Sequence, residues 1–194
     1  GQQQPDVSDV IDARAASAHA CVLTKSGASK CWGEGSFIAG GVPVTDAQQI
    51  VTGDAFACAL TRDGKVKCWG SNDEGQLGAE PDMDLHKAAV DVLALGTVSR
   101  IVAGQTQACA VLKDGTARCW GSNTQAELGV GKQSTDERPG AVKGVSSIAE
   151  MCVASMHACA RTEGGAVYCW GGNVAGQLGD GSEERRLTPT RVKF

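Results

Sequence analysis

The sequence has no long apolar run, and its aromatic content is only 4%. Apolar runs such as "ACAL" and "ACAV" are far shorter than the roughly 18 residues that a membrane helix needs, so the chain is predicted to span no membrane. The start "GQQQPDVSDV" has no basic-then-apolar leader pattern, although a leader removed before residue 1 would leave no trace. The compartment must therefore be inferred from other features.

Basic charge is also scarce. The 18 Lys and Arg residues are outnumbered by 22 Asp and Glu residues, and no basic run is longer than Arg185 and Arg186. A nucleic-acid-binding protein usually carries a basic patch or stripe. We therefore predict no nucleic-acid partner.

Catalytic and cofactor motifs are missing as well. No serine lies in a G-x-S-x-G context, no phosphate-binding glycine loop precedes a helix, and H-E-x-x-H does not occur. We therefore predict that the chain is not an enzyme and holds no cofactor or metal. One weak candidate for a cation site, His86 with Asp82 and Asp84, is more often a solvated loop.

What the chain does have is a repeat. "HACVLTKSGASKCWGEG", "FACALTRDGKVKCWGSN", "QACAVLKDGTARCWGSN" and "HACARTEGGAVYCWGGN" match one another, and their tryptophans follow at intervals of 37, 51 and 50 residues. A period near 50 is typical of propellers and solenoids. The predicted organisation is a single domain, 1–194, with approximate repeats 8–46, 47–97, 98–144 and 145–194.

Each copy has the same internal order: an alternating apolar run, a glycine turn, a second short run ending in Cys-Trp-Gly, and a polar loop. In the last three copies the loop ends in "GQLG" or "AELG", whereas the first copy has only "FIAG" there. Period-2 runs separated by Gly and Asp, with no sustained helical period, indicate antiparallel strands. The predicted fold class is all-β.

Each copy is predicted to contain a β-hairpin with a three-residue turn. In "CALTRDGKVKC" the turn takes Arg62, Asp63 and Gly64, because its last position needs a left-handed backbone that glycine adopts easily. Counting outward, Cys58 then faces Cys68. The turn glycines of the four copies are Gly27, Gly64, Gly115 and Gly165.

The two cysteines of every copy are thus placed opposite each other on neighbouring strands. Counting from the turn makes them a non-hydrogen-bonded pair, whose Cα atoms lie roughly 4.5 Å apart, within reach of a disulfide. Zinc binding and redox activity are the alternatives, but both usually involve C-x-x-C, which is absent. The predicted disulfides are Cys21–Cys31, Cys58–Cys68, Cys109–Cys119 and Cys159–Cys169.

The ninth cysteine, Cys152, has no partner in this scheme. Aligned by the repeat, it takes the place of Val51 and Val102, so we expect a small buried apolar residue. The alternatives are an intermolecular bridge or a free thiol.

The order of these elements resembles the repeats of the regulator of chromosome condensation family. "CALTRDGKVKCWGSNDEGQLG" and "CARTEGGAVYCWGGNVAGQLG" are close matches, the third copy is a good one, and the first lacks the "GQLG" element. The resemblance implies a β-propeller or a propeller arc of about four blades, each a small antiparallel sheet. Since family members usually close a ring of about seven blades, a small ring, an arc and a half-ring completed by another copy all remain open.

In a propeller, recognition is expected at the loops between strands, here segments 34–41, 71–77, 122–128 and 172–178. Within them, the Asn and "GQLG" elements are expected to serve mainly as scaffold. The candidate binding residues are Asn72, Asp73, Glu74, Asn123, Gln125 and Asn173. The four tryptophans are expected to pack between blades rather than to stack on a ligand. They are Trp32, Trp69, Trp120 and Trp170.

These features together predict a protein–protein interaction module. Its partner is expected to be a protein, either a different one or a further copy of this chain. The cysteine pairs favour an oxidising, extracytoplasmic compartment, and they resemble variants of the repeat in secreted bacterial proteins. Two alternatives are a structural subunit that assembles head to tail into rings or fibres and a secreted enzyme inhibitor, by analogy to β-lactamase inhibitory proteins built from similar repeats.

Overall fold

The computed structural model describes residues 8–33 and 44–193, except for the side chains of residues 136 and 137. Every regular element in these ranges is a β-strand. These ranges therefore contain no helix that could cross a membrane. In chain order the strands are β1 (Val10–Ala15), β2 (His19–Thr24), β3 (Ser29–Gly33), β4 (Ala47–Thr52), β5 (Phe56–Thr61), β6 (Val66–Asn72), β7 (Asp82–Asp91), β8 (Val98–Ala103), β9 (Gln107–Leu112), β10 (Ala117–Asn123), β11 (Ser134–Ala141), β12 (Ile148–Val153), β13 (His157–Thr162), β14 (Val167–Gly171) and β15 (Arg186–Arg191).

The strands form four antiparallel sheets in which neighbours along the chain are neighbours in space. Strands β4–β7, β8–β11 and β12–β15 make four-stranded sheets, and β1–β3 make a three-stranded one within the described residues. We call these sheets blades 1 to 4 in chain order. The fold is an all-β propeller arc of four blades, each with a disulfide between adjacent strands.

The hairpin that carries each disulfide has the predicted register. In blade 2, Cys58 pairs with Cys68, and the Thr61 N–H donates to the Lys65 carbonyl at 2.9 Å. Gly64 has φ +83°, and the other three turn glycines also lie in the left-handed region. The paired Cα atoms are 4.0 or 4.1 Å apart, the spacing of a narrow antiparallel pair. All four predicted disulfides are present.

Each blade has two unlike faces, because successive side chains of a strand point to opposite sides. The disulfide face carries the cysteine pair together with residues such as Val51 and Leu60 of blade 2. The tryptophan face carries the Trp of Cys-Trp-Gly together with residues such as Ile101 of blade 3. The disulfide face of one blade packs against the tryptophan face of the next at all three junctions. The hydrophobic core is therefore divided among the junctions between blades.

Three of the four tryptophans are buried in these junctions. Trp69 is 3% exposed, while Trp120 and Trp170 are fully buried. The Nε1 groups of the last two donate to the carbonyls of Gln76 and Glu127 in the preceding blade, at 3.0 and 2.9 Å. Trp32 differs from the prediction because it is only half-buried: no described blade precedes its face.

The first strands of the blades, β1, β4, β8 and β12, pack against one another in sequence along the arc. Gln49 of β4 links two of them, donating to the Ile101 carbonyl at 2.8 Å and accepting from its N–H at 2.9 Å. No packing of similar extent joins blade 4 to blade 1 within residues 8–33 and 44–193. The arc therefore leaves uncovered the disulfide face of blade 4 and the tryptophan face of blade 1.

Cys152 lies on that uncovered disulfide face. It pairs with Cys159 in the sheet, just as Val51 pairs with Cys58 and Val102 with Cys109. The alignment with the two valines is confirmed, but the expectation of a buried side chain is wrong, because Cys152 is a free, exposed cysteine. A valine at this position is covered by the next blade, and blade 4 has no next blade among the described residues.

Candidate interaction surface

An asparagine organises the loop that follows the third strand of blades 2, 3 and 4. In blade 3 the Asn123 side chain donates from Nδ2 to the Lys132 carbonyl at 3.0 Å and to Ser134 Oγ at 3.1 Å, and its Oδ1 accepts from the Leu128 N–H at 3.2 Å. Asn72 and Asn173 make the matching set of bonds in blades 2 and 4. One side chain thus closes each loop from within.

These bonds decide the role of three candidate binding residues. Asn72 and Asn123 are fully buried and Asn173 is 1% exposed. Their amides already serve the loop on both the donor and the acceptor side, so a partner has no access to them. Of the two roles considered for these asparagines, the structure supports the scaffold role that was expected for this element and not partner binding.

The "GQLG" element completes the scaffold. The Gln76 side chain accepts from the Glu74 N–H at 2.8 Å, and Gln177 accepts from the Ala175 N–H at 2.9 Å. Leu77, Leu128 and Leu178 are fully buried. In blades 2 and 3 the carbonyl of the second residue also receives a tryptophan Nε1 from the following blade, so these two loops are bonded both internally and to the neighbouring blade.

The side chains at the loop tips differ from blade to blade. Asp73, Thr124 and Val174 occupy equivalent positions directly after the asparagine, and all three are exposed. Val174 is 80% exposed, an unusual degree for an apolar residue on a well-packed loop. The two other candidate residues, Glu74 and Gln125, follow the tips and are half-buried. The structure thus brings an acidic, a polar and an apolar tip onto one side of a common scaffold.

Hydrogen bonds within the loop of blade 2 favour the charged form of its tip residue, Asp73. Asp73 Oδ1 accepts from Ser71 Oγ and from Gln76 Nε2, both at 2.7 Å, and these bonds, led by the one from Ser71, lower the pKa of Asp73. On the other side of the surface, Arg185 donates to Gln125 Oε1 at 2.8 Å. Near neutral pH the surface therefore carries an anionic tip on blade 2 and a guanidinium near blade 4.

A second set of loops reaches the same end of the blades. The N–H groups of Ser71, Ser122 and Gly172 donate to the carbonyls of Ala55, Thr106 and Met156, at 2.8, 3.1 and 2.7 Å. The Met156 side chain, 52% exposed, therefore belongs to the same surface as the tip of blade 4. We call this surface, made of residues 73–74, 124–125, 156, 174–175 and 185, the loop face. Sequence reasoning missed Met156 and Arg185, because neither lies in the loop after Trp-Gly.

Blade 3 has a carboxylic acid in the scaffold where blades 2 and 4 have an amide. Glu127 stands where Gln76 and Gln177 stand in the other blades, and its Oε2 accepts from the Gln125 N–H at 2.7 Å. The residue is 1% exposed, and this burial raises the pKa of its carboxyl. The charged form is therefore disfavoured in the folded protein.

We expect Glu127→Gln to raise the melting temperature at pH 7 by a few degrees. Folding raises the pKa of the Glu127 carboxyl, so the group is accommodated best when it is protonated, at low pH. This contribution to stability is lost as the pH rises through the pKa of the folded state. The gain from Gln should therefore shrink as the pH falls toward the ordinary Glu range near about 4.3. Thermal melts of both proteins from pH 4 to pH 8 measure this difference.

The reciprocal change, Gln76→Glu, serves as the control and should lower the melting temperature at neutral pH. It buries a carboxylate at a position that is 1% exposed and places it against Asp73. A Glu127→Gln variant that is less stable than the parent protein at pH 7 would contradict the burial argument.

The weak cation site is not supported by the geometry. The segment is strand β7, the fourth strand of blade 2, and not a loop, which corrects that expectation. Asp82 accepts from Asn72 Nδ2 at 2.9 Å and lies 3.0 Å from His86 Nε2. In the part of the chain that the structure describes, no group of three or more His, Cys, Asp or Glu residues is arranged to hold a metal ion.

The candidate binding loop of blade 1, residues 34–41, falls outside the described residues.

Three stretches of the chain match models of the "Regulator of chromosome condensation (RCC1) repeat". Residues 47–76 and 98–126 match one such model, and residues 164–194 match a second. A comparison with curated protein sequences finds no match. The first two stretches contain the hairpin turn and Cys-Trp-Gly, and the third contains Cys-Trp-Gly and "GQLG".

Solved structures show the same fold. Human WBSCR16 matches with a TM-score of 0.83 at 21% identity, over 100% of this chain and 55% of that one. Prp20p of Saccharomyces cerevisiae matches with a TM-score of 0.87 at 23% identity, over 98% of this chain and 52% of that one. The chain thus spans about half the length of each of these proteins. Stretches of blades 2, 3 and 4 thus match this repeat, and the chain as a whole has the propeller fold of these solved structures.

Proposed function

We propose that this chain is a protein–protein interaction module that binds its partner through the loop face. The observation that carries the proposal is the contrast between a repeated, buried loop scaffold and tips that differ among blades 2, 3 and 4. Repetition of the buried bonds holds the tips in fixed positions, and variation at the tips provides a surface with its own chemistry. Binding would rest on shape and polar complementarity, without bond chemistry.

The composition of the loop face indicates the partner's character. Asp73 and Glu74 make the blade 2 end acidic, whereas Val174 and Met156 make the blade 4 end apolar. A matching protein surface would place a basic group opposite blade 2 and an apolar side chain opposite blade 4. Prp20p, which has a similar fold, is a protein whose structure was described together with its binding properties to Gsp1p and histones.

The proposed setting is extracytoplasmic: secreted, periplasmic or at the cell surface. Four cross-strand disulfides support it, because such bonds persist in oxidising compartments and are rare where thiol reductants are abundant. We expect the partner to be a protein of the same compartment.

The test compares two matched surface changes. Val174→Asp places a charge at the apolar tip of the loop face, and Leu93→Asp places one at a residue that is 72% exposed near the hairpin turns. A partner is captured by cross-linking in an extracytoplasmic extract and purified, and its affinity for each variant is then measured. We expect Val174→Asp to weaken binding at least about tenfold and Leu93→Asp to leave it unchanged. The reverse ranking would overturn the proposal.

A second candidate function, a subunit that assembles head to tail, is favoured by the two uncovered blade faces. They are the two halves of an interface that the arc already uses at three junctions. The carbonyls of Gln76 and Glu127 receive a tryptophan from the following blade, and the equivalent carbonyl of blade 4 belongs to Gln177. Trp32 of another copy is the side chain that this position would receive. Such a contact joins unlike surfaces and so propagates until a ring closes.

Sedimentation over a wide concentration range tests this candidate. Val167→Asp changes the uncovered disulfide face of blade 4, and Leu93→Asp again serves as the control. Assembly that is lost in the first variant and kept in the second supports the subunit function. A protein that stays monomeric at the highest concentration contradicts it and leaves the loop-face proposal untouched.

A further inference from the structure

Blade 4 holds three cysteines in one row across its strands. Cys152 of β12 pairs in register with Cys159 of β13, which pairs with Cys169 of β14. Residues paired across antiparallel strands have side chains on the same face, so all three sulfur-bearing side chains lie on the disulfide face. Blades 2 and 3 have valine in place of the first cysteine, which makes the row a property of blade 4 alone.

The spacing in the row allows either neighbouring pair to bond. The Cα atoms of Cys159 and Cys169 are 4.1 Å apart, which marks them as a narrow pair. Narrow and wide pairs alternate, so the backbone groups of Cys159 face β12, and its pairing with Cys152 is a wide one of roughly 5.5 Å. That Cα distance lies in the range that disulfides bridge most often, while the Cβ atoms of a wide pair, roughly 5.5 Å apart, must approach by about 1 Å for the bond to form. Cys152 Sγ already lies 3.8 Å from the Cys159 carbonyl oxygen.

The row is open to solvent on the side of Cys152. The free cysteine is exposed and Cys159 is half-buried, whereas Cys169 is only 4% exposed. A cleft of about 380 Å³ runs along this part of blade 4 and is lined by Cys152, Cys159 and the charged side chains of Arg100, Glu150 and Arg161. At the covered junctions the next blade fills the corresponding space.

We propose that Cys152, Cys159 and Cys169 form a thiol–disulfide exchange site. The Cys152 thiolate attacks Sγ of Cys159, a Cys152–Cys159 bond forms, the Cys159–Cys169 bond breaks, and Cys169 leaves as the thiolate. The proton lost by Cys152 is matched by the one that Cys169 takes up, and no external oxidant or reductant is consumed. The attacking, central and leaving sulfurs follow one another along the row, which is the order that the displacement needs.

The exchange changes which strands are linked. Before it, the disulfide joins β13 to β14; after it, the bond joins β12 to β13, and β14 and β15 are held to the rest of the blade only by the hairpin turn and by non-covalent contacts. Both bonds close short hairpin loops, of sequence separation 10 in the first case and 7 in the second. Because chain entropy depends only weakly on loop length, the two isomers differ little on that account, and we expect both to be populated.

Trypsin cleavage distinguishes the isomers directly. Cys152 and Cys159 lie together in peptide 144–161, and Cys169 lies in peptide 162–185. The protein is purified without reductant and incubated at pH 8 at a concentration where it is monomeric. The reaction is quenched in acid, and the protein is then denatured, alkylated and digested with trypsin. In the starting isomer the two peptides are joined and Cys152 carries the label. In the exchanged isomer they separate, Cys169 carries the label, and peptide 144–161 has an internal disulfide.

We expect separated peptides to appear in the parent protein, at a rate independent of concentration, and to be absent from Cys152→Val. A second control combines Cys152→Val with Met156→Cys, which keeps one exposed thiol in the blade but moves it out of the row. Joined peptides in that variant support the row as the site. Label confined to Cys152 at all times in the parent protein, or equal exchange in the relocated-thiol variant, would overturn the proposal.

Discussion

Reduction of the four disulfides is expected to lower the free energy of unfolding by several kcal/mol, enough to unfold much of the protein at 37 °C. Each bond closes a loop of sequence separation 10, which corresponds to about 2.5–3 kcal/mol as an upper figure. The hairpins are already partly formed in the unfolded chain, which reduces the true value. Even so, the sum is comparable with the whole stability of a typical domain, about 5–15 kcal/mol.

Denaturant titration with and without prior reduction measures this loss, with the thiol count after reduction confirmed by alkylation. The matched control is the non-reduced protein alkylated at Cys152, which should keep its stability because that side chain is exposed. Equal midpoints for the reduced and oxidised proteins would show that packing between blades alone maintains the fold.

Trp120→Ala is expected to cost about 3–5 kcal/mol, the largest loss from any single change proposed for the core. The side chain is fully buried between blades 2 and 3, where its ring lies against the Gly78 backbone, and its Nε1 donates to the Gln76 carbonyl at 3.0 Å. Removing it leaves a large cavity in a junction and an unpaired carbonyl. Denaturant unfolding followed by circular dichroism gives the free-energy difference.

The equivalent residue of blade 1 provides the comparison. Trp32 is half-buried, because its face has no preceding blade in the described part of the chain, so Trp32→Ala should cost less than half as much. Equal losses of unfolding free energy in the two variants would contradict the arrangement in which each tryptophan packs into the junction with the preceding blade.

The hairpins could be predicted from the sequence because their determinants are local. A turn of fixed length ending in glycine sets the register, and the register alone places Cys58 opposite Cys68. The stacking of blades is not local in this sense. Cys152 was expected to be buried because its equivalents are valines, and it is exposed because no described blade packs against its face. A repeat alignment identifies equivalent positions but does not show which blade lacks a neighbour.

The candidate surface was predicted in outline. The loops after Trp-Gly in blades 2, 3 and 4 do present exposed tips, and the asparagine before each tip is buried, which agrees with the scaffold role expected for that element. Met156 and Arg185 join the surface through contacts between segments far apart in the chain, such as the bond from Arg185 to Gln125. Strand β7 was expected as a loop, because its polar start masks its place at the outer edge of blade 2.

The most direct test of the central claim, that the blades are cross-linked hairpins, is the intact mass of the non-reduced protein with and without thiol alkylation, followed by disulfide mapping. The account predicts a mass eight hydrogens below the fully reduced value and one alkylated thiol, with links Cys21–Cys31, Cys58–Cys68 and Cys109–Cys119 in every molecule and one link within blade 4. Eight or nine alkylated thiols would contradict it, and the extracytoplasmic setting proposed from the disulfides would then have no support.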